Sequence, residues 1–398
     1  MRYISELLTR VGRRLDRRHY SHADGAILTL TGYFNYGNVI QRYALQQFLV
    51  QHGHKFVSYV DTHSAPHDHY RITRRSRLKT PARAIKRFLR SQRPYWYVPS
   101  LYDIHPESHR IGHIIEFVND NIWIKPFDPK DTFGHYVVGS DQVWRNWWNN
   151  SETLGYYFLD FLEGREVNRV AYAASFGMEQ IGDAMTPDDI EYVRPHIQLF
   201  DSLSVREETG VDIVFDTWGR DDVVNTVDPT LLLSRNDYST LIDKSAASDE
   251  QVQPVFTYII DQTTKEKAFI SRMKRYYGVA KATEIRTHGG AENDTLPPME
   301  LWLKGFRDSD LVVTNSYHGL LFSVINNTNF IVVGRTHGGL SRLHSFLSEY
   351  GLESRFVDET ALDAFDPSSL DTIDWTHINS QLDKRRTQSG DWLLQSLN

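Results

Sequence analysis

The sequence contains no cysteine among its 398 residues. Disulfide bonds and zinc sites built on thiolates are therefore excluded. No apolar run approaches the roughly 18 residues that span a bilayer. The basic N-terminal segment also lacks the apolar stretch of a secretory signal. These absences fit a reducing compartment, so we expect a cytoplasmic location, either free or at the inner face of the cell membrane.

A recognisable metal-binding pattern is also absent from the sequence. His63, His67 and His69 lie close together, but the chain has 17 histidines and this spacing fits no common metal motif. We therefore expect no metal ligand set and no cofactor beyond the substrates.

The composition is that of a folded globular protein, with 40% hydrophobic and 24% charged residues. A chain of this length exceeds one ordinary core, so two domains are expected. Aromatic residues are plentiful, with 9 Trp, 21 Tyr and 20 Phe. Their flat rings either stack on sugars or fill an aromatic-rich core, and composition alone leaves both interpretations open.

Positive charge is unevenly distributed in this chain, whose net charge is −7. Residues 71–93 hold ten Lys and Arg without an acid, and they interrupt the regular pattern as a basic insertion. Residues 1–22 hold six Arg against two acids, and their apolar residues predict a basic N-terminal helix. Such segments either bind an anionic membrane surface or are exposed to solvent without a partner. No nucleic-acid motif accompanies them, so no nucleic-acid partner is expected.

The first part of the chain predicts a βαβ unit. Residues 26–30 read as a short buried strand, residues 31–38 as a Gly/Asn turn and residues 39–52 as a helix, with a second strand at 56–60. Further strands, each followed by small or polar residues, are predicted at 136–138, 170–174 and 203–205. Because open α/β sheets bind ligands at the carboxyl ends of their strands, these polar residues are expected to face a ligand.

A second α/β series follows a polar segment. Residues 234–253 lack periodicity and are predicted to form a linker. Alternating strands and helices then resume, with strands predicted at 255–260, 282–286, 311–314 and 330–333. We therefore predict an α/β protein with two Rossmann-like domains and a site in the inter-domain cleft. The predicted parts are an N-terminal acceptor-side domain at 23–233, a C-terminal donor-side domain at 254–365 and a C-terminal helix at 375–398.

Seven short motifs occur in a fixed order along the chain. They are NYGN at 35–38 followed by Gln41, GSDQVW at 139–144, AASFG at 173–177, SVRE at 204–207, DPT at 228–230, TNSYHG at 314–319 and RL at 342–343. Each motif alone is weak, but the ordered set is specific. In this set the sequence resembles the polysaccharide pyruvyl transferase family across roughly residues 26–350.

The resemblance implies a GT-B-like arrangement of the two domains, with phosphoenolpyruvate as donor. Two hydroxyls of one sugar would attack C2 of the donor, phosphate would leave, and a cyclic pyruvate ketal would remain on the glycan. The acceptor would be a lipid-linked or polymeric glycan, during cell-surface or exopolysaccharide biosynthesis. Some members of the family carry Arg-Leu-His where this chain has Ser316-Tyr317-His318. One cation that could hold the donor phosphate is therefore missing at this position.

Two residues are candidates for proton transfer. Ketal formation requires a proton on C3 of the donor, and histidine suits this step because its pKa lies near neutrality. His318, between a strand and a helix, is predicted to be this acid or a phosphate ligand; otherwise it caps the helix or bonds within the core. Asp141, at a strand end, is predicted to be the base for the acceptor hydroxyl, or to cap the next helix.

The donor's anionic groups need cations and backbone N–H groups, which a helix beginning after Asn315 would offer. Arg206 could grip an anion through two donors, or pair with Glu207 or Glu208. The predicted donor-binding residues are Arg206, Asn315, Ser316, Gly319, Arg335 and Arg342.

The acceptor sugar is expected to meet polar and aromatic side chains of the first domain. Gly37 allows close backbone approach, although its turn could also be only a helix start. Trp144 could stack on a sugar or pack in the core. The predicted acceptor-binding residues are Asn35, Tyr36, Gly37, Asn38, Gln41, Ser140, Gln142 and Trp144.

Two other functions compete with pyruvyl transfer. A GT-B glycosyltransferase with a nucleotide-sugar donor would share the cleft, although no convincing pair of spaced Glu residues for ribose and sugar is found in the second domain. A non-catalytic glycan-binding relative would account for Ser316. Thermal stabilisation by a nucleotide sugar instead of phosphoenolpyruvate would favour the first alternative. Unchanged activity of a His318→Ala variant would favour the second.

Overall fold

The structure is a computed structural model that describes residues 22–60, 110–147, 150–286, 295–334 and 340–398. The predicted basic insertion at 71–93, nearly all of the predicted helix at 1–22, and Arg335 lie outside the described residues. His63, His67 and His69 lie outside them as well.

The first domain is built on a parallel sheet that, within the described residues, has seven strands in the order β3-β2-β1-β4-β5-β6-β7. Most residues of its central strands are buried, as expected where helices cover both faces of a parallel sheet. The strands are β1 (Gly25–Leu28), β2 (Phe56–Val60), β3 (Ile124–Pro126), β4 (His135–Val138), β5 (Asn168–Ala174), β6 (Ser202–Val205) and β7 (Val224–Asn225). The helices are α1 (Tyr36–Gln51), α2 (Gly112–Asn121), α3 (Ser151–Tyr157), α4 (Ile181–Ala184), α5 (Pro187–Ile197) and α6 (Glu208–Trp218).

The second domain contains a smaller parallel sheet, whose described strands follow the order β12-β11-β10-β8-β9. These strands are β8 (Val255–Tyr258), β9 (Thr283–Ile285), β10 (Leu311–Thr314), β11 (Asn329–Gly334) and β12 (Phe356–Asp358). Its helices are α8 (Thr264–Tyr276), α9 (Met299–Asp308), α10 (Tyr317–Asn326) and α11 (Leu340–Glu349). The prediction of an α/β protein with two Rossmann-like domains is confirmed by the two parallel sheets, and the GT-B-like arrangement stays a prediction.

The segment predicted as a linker, residues 234–253, contains a helix. Helix α7 (Arg235–Asp243) begins there, and its capping box joins Ser234 and Asp237 in both directions. Tyr238 and Ile242, one helical turn apart, are buried in the core. The segment connects the two sheets, and it contains a capped helix with two apolar contacts that its polar sequence did not indicate.

The C-terminal helix α12 (Trp375–Gln395) packs back onto the first domain after the second sheet is complete. Ser389 accepts a hydrogen bond from the backbone N–H of Val227, and Asn168 donates to the carbonyl oxygen of Ser396. Tyr36 of α1 stacks on Trp302 of α9 at 5.5 Å between ring centroids. The two domains are thus in direct contact next to the cleft.

Across the described ranges, no helix combines the length and apolarity that spanning a bilayer requires.

Candidate active site

Polar residues at the carboxyl ends of the first sheet face the start of α10 in the second domain. Asp141 follows β4 in a left-handed backbone conformation, with φ of 75°. Ala173 in β5 is also left-handed, with φ of 51°, where the β5–β6 register is interrupted. Such conformations are costly for residues other than glycine and collect at functional sites. The unusual backbone at the ends of β4 and β5 therefore indicates a functional site.

Arg206 forms the centre of this polar cluster, directly after β6. Its Nη1 donates to Asp228 Oδ2 at 2.9 Å and to Ser140 Oγ at 3.3 Å. Its Nε donates to Glu207 Oε1 at 2.9 Å. The guanidinium is almost completely buried, and burial alone would lower its pKa, but the carboxylates of Glu207 and Asp228 raise it. The alternative prediction of an ion pair with Glu207 is confirmed, and Asp228 is a second partner.

Asp228 is fully buried and carries the negative charge that faces Arg206. Its Oδ1 accepts hydrogen bonds from the backbone N–H and the hydroxyl of Thr230, at 3.0 and 2.8 Å. Burial acts to raise the pKa of Asp228, but His318, Arg206 and the Thr230 bonds outweigh it and hold the pKa below its usual value. Asp228 is therefore ionised at neutral pH, with its oxygens already occupied by protein donors.

His318 lies in the first turn of α10 and joins the second domain to this cluster. Its Nε2 is 3.8 Å from Asp228 Oδ2 and makes no hydrogen bond with any described residue. Burial lowers the pKa of His318, partly opposed by Asp228 and Asp141. The imidazole is therefore neutral at pH 7 in the free protein. A buried ring nitrogen without a partner is suited to receive or deliver a proton on a bound substrate.

The His318 ring packs directly against Gly37 of α1. A Cβ added at Gly37 would lie 2.1 Å from His318 Nδ1 and 2.6 Å from its Cγ. Only glycine therefore lets the imidazole remain in this position.

We expect Gly37→Ala to displace His318 and to lower stability by about 1–3 kcal/mol, because a close-packed site cannot accept the extra methyl group. Turnover should fall even at temperatures where the variant remains folded, since the imidazole is moved away from Asp228. Thermal denaturation and turnover measure the two effects. Gly182→Ala in α4 is the matched control, because a Cβ there meets nothing within 4 Å. Equal melting temperatures and equal turnover in the two variants would contradict the close contact between Gly37 and the His318 ring.

Three of the predicted donor-binding residues of the second domain, Ser316, Gly319 and Asn315, have structural roles. Ser316 is the N-cap of α10, and its hydroxyl accepts from Gly319 N–H at 3.5 Å. Gly319 packs against Thr314, where a Cβ would lie 2.1 Å from Oγ1. Asn315 is engaged at both ends of its amide by the backbone of Ile260. Asn315 therefore holds the loop after β8, and its role in donor binding stays a prediction.

Arg342 of α11, another predicted donor ligand, has a buried Nε without a hydrogen-bond partner among the described residues. It faces the ring of Tyr317 with its Cζ 5.7 Å from the ring centroid. Arg206 faces the same ring at 4.7 Å. These residues border an interdomain pocket of about 610 Å³.

The predicted acceptor residues in the first turn of α1 mostly support the fold. Asn35 caps α1 by accepting from Gly37 N–H at 2.9 Å, which confirms the helix-start alternative. Tyr36 is buried, and its hydroxyl donates to the carbonyl oxygen of Pro297 at 2.7 Å, so it joins the domains instead of facing a sugar. Gln41 donates to Thr29 Oγ1 at 2.7 Å. Asn38 is half-buried at the same turn.

The predicted site residues after β4, namely the catalytic candidate Asp141 and the acceptor-binding candidates around it, divide into two groups. Ser140 and Asp141 belong to the Arg206 cluster, with Ser140 Oγ 3.1 Å from Asp228 Oδ2. Gln142 packs against Gly177 and accepts from Arg145 at 3.2 Å. Trp144 is fully buried, stacks on Phe158 and donates to the carbonyl oxygen of Tyr157. Trp144 is therefore a core residue, and its predicted sugar contact is wrong because no ring face is free.

Asp228 and Tyr317 are the important residues to which the sequence analysis gave no role. Both lie inside motifs that were recognised, at 228–230 and 314–319. The signal for Asp228 is an Asp-Pro pair just beyond a strand, where a carboxylate can reach the strand-end residues. Tyr317 gave no signal, because its importance depends on the two guanidinium groups that face it.

Comparison with known proteins gives little information about individual relatives. No curated protein matches the sequence. UGT89C1 of Arabidopsis thaliana complexed with UDP is 9% identical, with 94% of this chain and 99% of that chain covered and a TM-score of 0.47. The UDP-GlcNAc 2-epimerase of Methanocaldococcus jannaschii is 11% identical, with 93% and 98% covered and a TM-score of 0.48. Similarities of this size carry no argument about what this chain binds.

The family comparison covers most of the chain. The family described as polysaccharide pyruvyl transferase matches residues 35–337. This range includes Gly37, Arg206, Asp228 and His318, which form the cluster between the domains. The chain therefore belongs to the polysaccharide pyruvyl transferase family.

Proposed function

We propose that this protein transfers pyruvate from phosphoenolpyruvate to two hydroxyls of one glycan sugar, forming a cyclic ketal. The family supports pyruvyl transfer to a polysaccharide. The observation that carries the finer proposal is the buried imidazole of His318, whose Nε2 lies unpaired among the described residues beside the Arg206–Asp228 pair. This arrangement combines a proton carrier with buried cations for an anionic donor.

The proposed reaction requires one proton delivered to the donor and two removed from the acceptor. A proton added to C3 turns the methylene into a methyl group and makes C2 electrophilic. The first hydroxyl adds to C2, and the second then displaces phosphate from C2. One hydroxyl proton balances the proton given to C3, and the other leaves with hydrogen phosphate. No oxidant, reductant or cofactor is needed.

His318 is proposed as the group that delivers the proton. Because burial lowers its pKa, it is neutral before the donor binds. An anionic donor beside the ring would raise this pKa and favour the protonated acid. Asp141 is proposed as the base for the acceptor hydroxyl, with its Oδ1 held by the backbone N–H of Gln142 at 2.8 Å. Asp228 keeps Arg206 and His318 in place.

The proposed acceptor is a lipid-linked or polymeric glycan, met in the cytoplasm at the inner face of the membrane. The basic segments at 71–93 and 1–22 support the membrane contact. Co-sedimentation with anionic vesicles at low salt tests it, and failure to bind there would remove this part of the proposal.

A thermal-shift titration tests the donor. Phosphoenolpyruvate should raise the melting temperature, because a ligand bound only by the folded state adds RT ln(1 + [L]/Kd), about 2.7 kcal/mol at one hundred times Kd. UDP-glucose and UDP-N-acetylglucosamine serve as competing donors. A shift with a nucleotide sugar and none with phosphoenolpyruvate would replace the proposal with the glycosyltransferase alternative.

A further inference from the structure

A second pocket, of about 400 Å³, lies between the carboxyl end of α11 and the beginning of α12. We call it the distal pocket. It is separate from the Arg206 cluster, but Glu349 borders both it and the interdomain pocket, so the two pockets are adjacent. Its volume lies within the range of small-molecule sites. The distal pocket is lined by Tyr350, Ser354, Arg355, Asp371, Thr372 and Gln381, among others.

Two polar atoms at the distal pocket are buried without a hydrogen-bond partner among the described residues. Tyr350 is 4% exposed, and its hydroxyl is one of these atoms. The side-chain oxygen of Gln381, in α12, is the other. Buried polar atoms are nearly always bonded, so each unbonded one requires an explanation. Two such atoms at one pocket indicate a ligand that would supply the missing bonds.

The two unbonded atoms require opposite kinds of partner. Burial and the carboxylate of Glu349 raise the pKa of Tyr350, so its hydroxyl keeps its proton and can donate. The oxygen of Gln381 can only accept. A sugar hydroxyl both donates and accepts, and a sugar carries several hydroxyls, so one sugar could satisfy both atoms. Ser354 and Thr372 line the same pocket and carry hydroxyls that suit a polyhydroxy ligand as well.

The charges around the distal pocket favour a neutral ligand. Glu349 is balanced by Arg385 at 2.8 Å. Two carboxylates, those of Asp371 and Asp374, then face the pocket against one arginine, Arg355. The guanidinium of Arg355 is buried and donates to the backbone carbonyl oxygen of Asp371. A phosphate or a nucleotide would be repelled by the excess of carboxylates, whereas a neutral polyhydroxy ligand would not.

We propose that the distal pocket binds a sugar residue of the glycan acceptor, beyond the sugar that reacts in the cleft. The inference rests on the proposed function, because the reacting sugar is placed there at the cluster of Arg206 and His318. A glycan that reaches both pockets would pass the Glu349–Arg385 pair between α11 and α12. The acceptor would therefore be recognised as an oligosaccharide and not as a single sugar.

Isothermal titration of the full chain with cellotetraose, maltotetraose and mannotetraose tests this site, with glucose and mannose beside them. At least one tetrasaccharide should bind about tenfold more tightly than its monosaccharide. Tyr350→Phe and Gln381→Leu should each weaken its binding about threefold to tenfold, the range for one neutral hydrogen bond, without affecting the monosaccharide. Tyr276→Phe is the matched control, because Tyr276 is 54% exposed at the end of α8.

Melting temperatures without ligand separate sugar binding from a structural role. Neither Tyr350→Phe nor Gln381→Leu removes a hydrogen bond of the unbonded atom within the described structure. Both variants should therefore melt at or above the temperature of the parent protein, because a buried polar atom without a partner has been removed. Lower melting temperatures in both variants, or unchanged tetrasaccharide binding, would overturn the proposal. A parent protein that binds no tetrasaccharide more tightly than its monosaccharide would overturn it as well.

Transfer assays distinguish failure of the distal pocket from failure of the proposed function. The p-nitrophenyl glycosides of the tetrasaccharide and of its monosaccharide are compared as acceptors with phosphoenolpyruvate, and Gln381→Leu should raise KM mainly for the tetrasaccharide. Tetrasaccharide binding that depends on Tyr350 and Gln381, without pyruvyl transfer, would support the sugar site and reject the proposed function. Pyruvyl transfer with equal KM for both acceptors, unaffected by Gln381→Leu, would leave the proposed function intact and reject the sugar site.

Discussion

Replacement of Asp228 by alanine is expected to lower the free energy of unfolding by about 3–5 kcal/mol, as when one partner of a buried ion pair is removed. Asp228 is fully buried and accepts hydrogen bonds from Arg206, Ser140 and Thr230. The variant leaves the Arg206 guanidinium with Glu207 as its nearest remaining counter-charge. Denaturant unfolding monitored by circular dichroism measures the difference.

Asp222→Ala is the matched control for this prediction. Asp222 pairs with Arg220 at 2.7 Å, but its side chain is half exposed. Such surface pairs contribute about 0–1 kcal/mol. A loss in Asp228→Ala no larger than that in Asp222→Ala would contradict the assignment of Asp228 as the charge on which the cluster depends.

Replacement of His318 by glutamine is expected to lower kcat by about 10²–10⁴-fold, the usual contribution of a general acid or base. The Nε2 of His318 has no hydrogen-bond partner in the described structure, so the fold loses no bond there. Binding of phosphoenolpyruvate should remain within a few-fold of the parent protein. Phosphate release in the presence of acceptor measures turnover, and titration calorimetry measures binding.

His113→Gln is the control for His318→Gln, because His113 is half exposed at a surface pair with Glu116. The pH dependence of stability provides an independent check. Burial lowers the pKa of His318, so below about pH 6.5 the unfolded chain binds a proton that the folded chain excludes. The parent protein should therefore lose stability relative to His318→Gln as the pH falls through this region. Unchanged turnover in His318→Gln would exclude His318 from proton transfer.

The α/β architecture could be predicted because its signals are local. The predicted strand at 311–314 coincides with β10, and the turn at 31–38 does lead into α1. Apolar runs reveal buried strands, and helical spacing reveals the helices between them. Helix α7 within the predicted linker gave no clear signal, because it is polar on most of its surface and only two of its residues show the buried face.

The roles within the site could be predicted only in part, because they depend on contacts between distant segments. Ser140 and Asp228 are 88 residues apart in the chain but 3.1 Å apart in space. The sequence indicated Arg206 as an anion ligand, yet two carboxylates of the protein already accept hydrogen bonds from its Nε and Nη1. Trp144 follows the β4 motif, but its direction into the core is set by Phe158 and Phe176.

The most direct test of the central claim is a magnetic resonance experiment in ²H₂O. Phosphoenolpyruvate labelled with ¹³C at C3 is mixed with the protein and p-nitrophenyl glycosides of glucose, galactose and mannose. Pyruvyl transfer predicts a ketal methyl group that carries one deuterium, released phosphate in equal amount, and loss of both signals in His318→Gln. Glycoside modified by a sugar from an added nucleotide sugar, with the phosphoenolpyruvate left intact, would contradict the proposed function.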